Sequence, residues 1–300
     1  MKKNTLLTLL FIGILYATPL KAEPILHNFN GVIYVDQATV DEVETLFKKN
    51  HYTRFRALNN YEFPAIFINK MPTDYLQITS QKYRNELFIR MLTPLALKIN
   101  EELSNERHTL LRLERSFHRN NELTPEETNK LEELALKYDY FTRPKEPKVR
   151  IPNQLKNLKQ RIDIIPPSIF VAVAAMETNW GTSRITLEAN SLYKEKVWYT
   201  NEGLEPNENK DDGYRFKIFN TLIDSMRSFA LTFNSNISYE SAWIARENAT
   251  LRQKNLIGQS IAYSLSHASN LPNYVGILDY TTAFYDFLAL DNGNLKRIKE

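Results

Sequence analysis

Apolar positions between residues 84 and 117 recur with a helical period. Phe88, Met91, Leu92, Leu95, Ala96 and Ile99 fall at i, i+3, i+4 and i+7 spacing, one face of an amphipathic helix. The pattern continues through Leu103, Leu110, Leu111 and Leu113 towards Phe117, and Asn120-Asn121 then marks a turn. Thr124-Pro125-Glu126-Glu127 is a capping box with proline at the first helical position. Leu131, Leu134, Ala135 and Tyr138 give the helix behind it a buried face, so the two helices read as a hairpin. Upstream, residues 23–80 show weak periodicity. Only 41–49 reads as helix there, and the remainder has no clear element.

Pro144, Pro147 and Pro152 lie among charges in residues 143–153, which read as a linker or surface crossover. The hairpin and linker thus occupy 81–164. Ile165-Pro166-Pro167-Ser168 then opens an unbroken apolar run, residues 169–176, closed by Glu177 and a Trp180-Gly181 break. Periodicity alone leaves helix and buried strand open for this run. Ala172, Ala174, Ala175, Met176 and the preceding proline favour helix. Residues 196–199 and 214–219 read as short strands, with turns at Glu202-Gly203 and Asp212-Gly213. Between them lies an acidic loop with Glu202, Glu205, Glu208, Asp211 and Asp212. Helical patterning returns at Leu222, Met226, Phe229 and Ala230, around 256–264, and over 279–290. The fold class expected is mainly α (α+β), with a small β insertion.

The first residues set the compartment. Lys2 and Lys3 precede an apolar stretch, residues 6–16, and Thr18-Pro19-Leu20-Lys21-Ala22 offers a cleavage site, so 1–22 reads as a signal peptide. The stretch is shorter than the ~20 residues of a membrane span, and an uncleaved anchor is the alternative. Removing 1–22 takes away three lysines and no acid, so the formal charge of +3 vanishes and no nucleic-acid footprint is left. The absence of cysteine excludes disulfides, thiolate metal sites and a cysteine nucleophile. Eight glycines in 300 residues argue against a many-turned all-β fold.

His27, His51, His108, His118 and His267 have no metal-site spacing, and no metal is expected. Neither a phosphate-binding glycine loop nor a Gly-x-Ser-x-Gly elbow occurs. Carboxylates and aromatics remain. Glu177 closes an apolar run, a setting that favours the neutral acid, which is the form able to protonate a leaving-group oxygen. Its plain alternative is a helix-end glutamate reaching water. Trp180, Trp198 and Trp243, with Tyr193, Tyr199, Tyr214, Tyr263 and Tyr274, lie in the C-terminal half, where they could wall a saccharide cleft or simply fill a core.

The string from Pro166-Pro167-Ser168 through Ala174-Ala175-Met176-Glu177-Thr178-Asn179-Trp180-Gly181-Thr182-Ser183-Arg184, then Glu188-Ala189-Asn190-Ser191-Leu192-Tyr193, resembles the signature of bacterial glucosaminidase domains of glycoside hydrolase family 73, Bax-like exported proteins in particular. The resemblance continues through 216–229 and from Ala262-Tyr263-Ser264 to Asn273-Tyr274, and covers about 84–290. It implies a lysozyme-like α lobe with a small β-hairpin lobe, preceded by the helical hairpin, with a catalytic domain over 165–290. It further implies Glu177 as catalytic acid, Glu202 of Thr200-Asn201-Glu202 as second carboxylate, and Tyr263 and Tyr274 as cleft tyrosines that position the sugar; Trp180, Asn190 and Trp198 are further sugar-binding candidates. Glu205 or Asp211 could equally be the second carboxylate. Asn179 stands where Ser or Gly is usual, Ser191 where Asn is usual, and Tyr193-Lys194 where Phe-Gly is usual. The expected activity is hydrolysis of the β-1,4 bond after N-acetylglucosamine in peptidoglycan glycan strands, in the periplasm of a Gram-negative bacterium and without a cofactor. A lytic transglycosylase and a catalytically silent glycan-binding scaffold are the alternatives.

Overall fold

The computed structural model describes residues 26–138, 147–208, 213–251, 257–265 and 273–298. The candidate signal peptide, 1–22, lies outside these. β1 (Leu26–Phe29) and β2 (Val32–Val35) form an antiparallel hairpin, with Asn30 and Gly31 both left-handed at its two-residue turn. α1 (Val40–Lys49) follows, started by a Thr39/Glu42 capping box, then α2 (Arg54–Asn60), β3 (Glu62–Pro64) and β4 (Ile66–Ile68). β4 pairs parallel to β2. The segment that lacked a clear pattern is thus ordered, and its short elements explain why no period showed.

α3 (Gln81–Asn120) is a single 40-residue helix, capped by Ser80 and ended by left-handed Asn121. At 1.5 Å per residue it runs roughly 60 Å. It carries Pro94 in its interior, which has no N–H to give the Arg90 carbonyl. The buried Tyr52 hydroxyl donates to that carbonyl instead, at 3.0 Å. α4 (Pro125–Lys137) returns along it behind the expected Thr124/Glu127 capping box. The expected linker is corrected here: α5 (Pro147–Arg161) begins inside it and runs through Pro152. Pro147 is its first residue, where the absent N–H costs nothing.

Two cores result. The C-terminal half of α3 packs with α4 and α5 around Leu110, Leu131, Leu134 and Leu158. The larger core joins residues 32–103 to 165–290 and centres on α6 (Pro167–Thr178), whose residues 167–175 are all buried. A helix apolar on every face belongs in the middle of a core, and this resolves the 169–176 run as helix. Around it lie α7 (Arg184–Ala189), α8 (Leu222–Ser235), α9 (Glu240–Leu251), α10 (Ile257–Ser264) and α11 (Tyr274–Phe284). The last helix therefore starts and ends earlier than the pattern suggested, and a 3-10 turn, Phe287–Asn292, replaces its end. β5 (Lys196–Trp198) and β6 (Tyr214–Phe216) make the expected antiparallel hairpin, with Trp198 opposite Tyr214. β7 (Asn294–Lys296) pairs parallel with β3, tying the C-terminal end of the chain to its N-terminal part. The fold is mainly α with small sheets, as expected.

Candidate functional site

α6 is held from behind and aimed forward. Its N-cap residue is Pro166, which has no capping side chain, and Asp291 serves instead. The Asp291 carboxylate accepts from the Ser168 N–H at 2.8 Å and from the Ser168 hydroxyl at 2.9 Å. Burial pushes the Asp291 carboxyl up to about 6, against the pull of its two Ser168 bonds.

At the other end the helix stops abruptly. Asn179, Trp180 and Gly181 are all left-handed, with φ of 48°, 59° and 80°. A tryptophan there is unusual, because its Cβ crowds the backbone. The neighbours hold it in place. The Trp180 N–H donates to Ala175 O (2.9 Å), and its carbonyl accepts from the Tyr75 hydroxyl (2.9 Å). Its ring packs on Phe88, Tyr285 and Phe287. Gly181 suits this place: its φ is +80°, and a Cβ would press on the Phe88 ring at 3.0 Å.

This stop leaves Glu177 in the final turn of α6, its side chain 14% exposed, on a cavity of about 150 Å³. Val173, Tyr193, Glu195, Phe229, Tyr239 and Tyr274 are among the cavity's other walls. The setting is not purely apolar, as the run had suggested. Lys194 Nζ lies 3.2 Å from Glu177 Oε2. Lys194 has φ +49°, which gives a structural reason for the glycine usual at this place in the family pattern. Replacing that glycine with lysine brings an ammonium to the glutamate.

Tyrosines line the remaining space. Tyr193 stacks on Phe229 with centroids 4.1 Å apart and donates to Phe170 O at 3.2 Å. Burial, with the Glu177 charge added, raises the hydroxyls of Tyr239 and Tyr274 above the usual phenol range. Both stay protonated at neutral pH and can donate hydrogen bonds.

The other expected site residues are distributed as follows. Tyr274 lines the cavity. Tyr263 lies on α10, and its side chain is outside the described residues. Trp180 is occupied by the aromatic cluster with Phe88, Tyr285 and Phe287. Asn190 is buried at the end of α7, its amide donating to Phe219 O (2.8 Å) and Asn220 O (3.2 Å), so it ties α7 to the approach to α8. Trp198 is 53% exposed on β5, beside Tyr214 and the 92% exposed Tyr199, with Lys196 Nζ 3.8 Å from the centroid of the Tyr214 ring. Glu202 is exposed beyond β5, its N–H bonded to the Thr200 hydroxyl, and does not line the cavity. Glu205 lines a separate shallow groove with Tyr199, Thr200 and Arg215, while Asp211 lies outside the described residues.

Sequence reasoning missed Lys194, Glu195 and Tyr239. The signal for Lys194 was the Tyr193-Lys194 departure, a non-glycine where glycine is usual.

Parts of the chain are similar to known proteins. Residues 153–281 match the family model described as glucosaminidase, mannosyl-glycoprotein endo-beta-N-acetylglucosaminidase. Protein bax of Escherichia coli (strain K12) is 26% identical over 170 residues, which is 57% of this chain and 57% of that protein. The catalytic domain of the autolysin Auto from Listeria monocytogenes aligns over 57% of this chain and 99% of its own, with 17% identity and a TM-score of 0.33.

Proposed function

From the match of residues 153–281 to the glucosaminidase family model and the likeness to Protein bax, we propose that the protein hydrolyses the β-1,4 bond after N-acetylglucosamine in peptidoglycan glycan strands. Glu177 is the general acid. The observation that carries this reading is the delivery of one carboxyl group, by the most buried helix of the core, to a tyrosine-lined cavity. A carboxyl group fixed at a cavity wall, beside tyrosine hydroxyls that can bind sugar oxygens, is placed for proton transfer to a glycosidic oxygen. Tyr274 and Tyr239 offer hydroxyls to sugar oxygens, and Lys194 holds Glu177 in place until substrate enters. The exposed Trp198, Tyr199 and Tyr214 rings offer a stacking surface for the strand outside the cavity. The enzyme works after export, in the periplasm.

The experiment is mass spectrometry of muropeptides after incubation with the purified protein. Reducing-end N-acetylglucosamine is the expected product. Anhydro-sugar products would instead mark a lytic transglycosylase, and unchanged glycan a binding protein.

A further inference from the structure

Glu195 follows Lys194 at the entrance to β5 and shares the cavity with Glu177. Its side chain is held at one oxygen only. Oε1 accepts from Lys217 Nζ at 2.7 Å and from the Ser228 hydroxyl at 3.0 Å, and Lys217 Nζ also reaches Ser228 Oγ at 2.9 Å. Among the described residues no donor reaches Oε2. Lys217 lies just beyond β6 and Ser228 on α8, so two separate elements fix the carboxylate. A cavity-lining carboxylate with one oxygen clamped and the other without a donor is an arrangement suited to a general base, since the clamp sets direction while the other oxygen is left to take the proton. Glu202 has neither the clamp nor a place on the cavity.

We propose that Glu195 is the second carboxylate of this site, a catalytic base that activates water opposite Glu177. The inference rests on the glycosidase reading above. Glu195 Oε2 takes a proton from water as the water oxygen bonds to the anomeric carbon. The bond from that carbon to the leaving sugar's oxygen breaks, and this oxygen takes the proton of Glu177. One water is consumed, one proton passes to Glu195, and one leaves Glu177.

The test uses the full-length exported protein on purified peptidoglycan, with Glu195→Gln, Glu195→Ala and Glu202→Gln compared with the wild type. Circular dichroism melts show which variants fold. Glu195→Gln keeps an oxygen for Lys217 and Ser228, and is expected to lose roughly 100-fold or more in kcat. Glu202→Gln is expected to stay within a few-fold. Sodium azide is expected to restore turnover to Glu195→Ala with release of a glycosyl azide, which a merely structural ion pair does not produce. Should Glu195→Ala fail to fold, the Gln variant decides. The inference is overturned by near-normal turnover in Glu195→Gln, by loss confined to Glu202→Gln, or by a folded Glu195→Ala that yields no azide product. A wild type that releases no sugar product overturns the glycosidase reading itself, which separates the two failures.

Discussion

Lys194 combines a left-handed backbone with an ion pair to Glu177. A side chain at φ +49° is strained by about 1 kcal/mol or more, because Cβ approaches the following carbonyl. Its ammonium meets Glu177, but it is 39% exposed, and ion pairs open to water contribute less than that strain costs. Lys194→Ala keeps the strain and loses the pair, whereas Lys194→Gly loses both. The glycine variant is therefore expected to be more stable than the alanine variant by roughly 1 kcal/mol in thermal denaturation. Equal stabilities would show that the left-handed backbone is not strained. At this scale the sequence pointed to Glu177 and Tyr274, because a carboxyl closing an apolar run and a family-like tyrosine are both visible in one dimension. Glu195 was hidden, since its clamp joins residues 22 and 33 positions away. Asn190 and Trp180 were visible as residues, but not as a tie between elements and an aromatic wedge.

Helices here were legible wherever a cap or a period announced them. The Thr124 box, the stripe of α3 and the start of α6 all came through as expected. Pro147–Arg161 was misread because prolines and charges look like a linker, whereas its first proline is a helix starter. Pro94 shows the compensation that local pattern cannot reveal. Tyr52→Phe leaves the Arg90 carbonyl without its donor and is expected to cost about 1–3 kcal/mol. Pro94→Ala returns an N–H to that carbonyl, so the tyrosine's contribution should shrink in its presence. A double-mutant cycle in urea reads this directly, and strictly additive effects would contradict it. The Asp291 cap on α6 has its own signature. Its folded-state value, about 6, lies above the ordinary carboxyl value of 3.8, so the fold favours the protonated form. Its contribution is therefore fully present below about pH 4 and declines as pH rises towards 6. Asp291→Asn should flatten that part of the stability profile; an unchanged slope in chemical denaturation would assign it elsewhere.

Across the whole molecule, two cores are held together by a buried cation. Arg246 on α9 donates to the carbonyls of Gln160, Arg161, Asp163 and Ile164 and to the Asn234 side chain. It thus closes the end of α5 against the domain that carries Glu177. Arg246→Met strands these acceptors and is expected to cost roughly 3 kcal/mol or more, measured by urea unfolding. A loss under 1 kcal/mol would mean water replaces the guanidinium. The N-terminal segment shares the larger core and pairs with β7, so the base of α6 is braced by residues from both ends of the described chain. None of this long-range closure has a local signature, which is why the pattern placed only the helix over 41–49 within residues 23–80. The bracing fixes α6, the helix that carries Glu177 to the cavity. Release of reducing-end N-acetylglucosamine from purified peptidoglycan should be measured for the wild type and for Glu177→Gln at matched concentration. Release by the wild type with a loss of roughly two orders of magnitude or more in the variant is the predicted result. Near-equal release by the two proteins would contradict it.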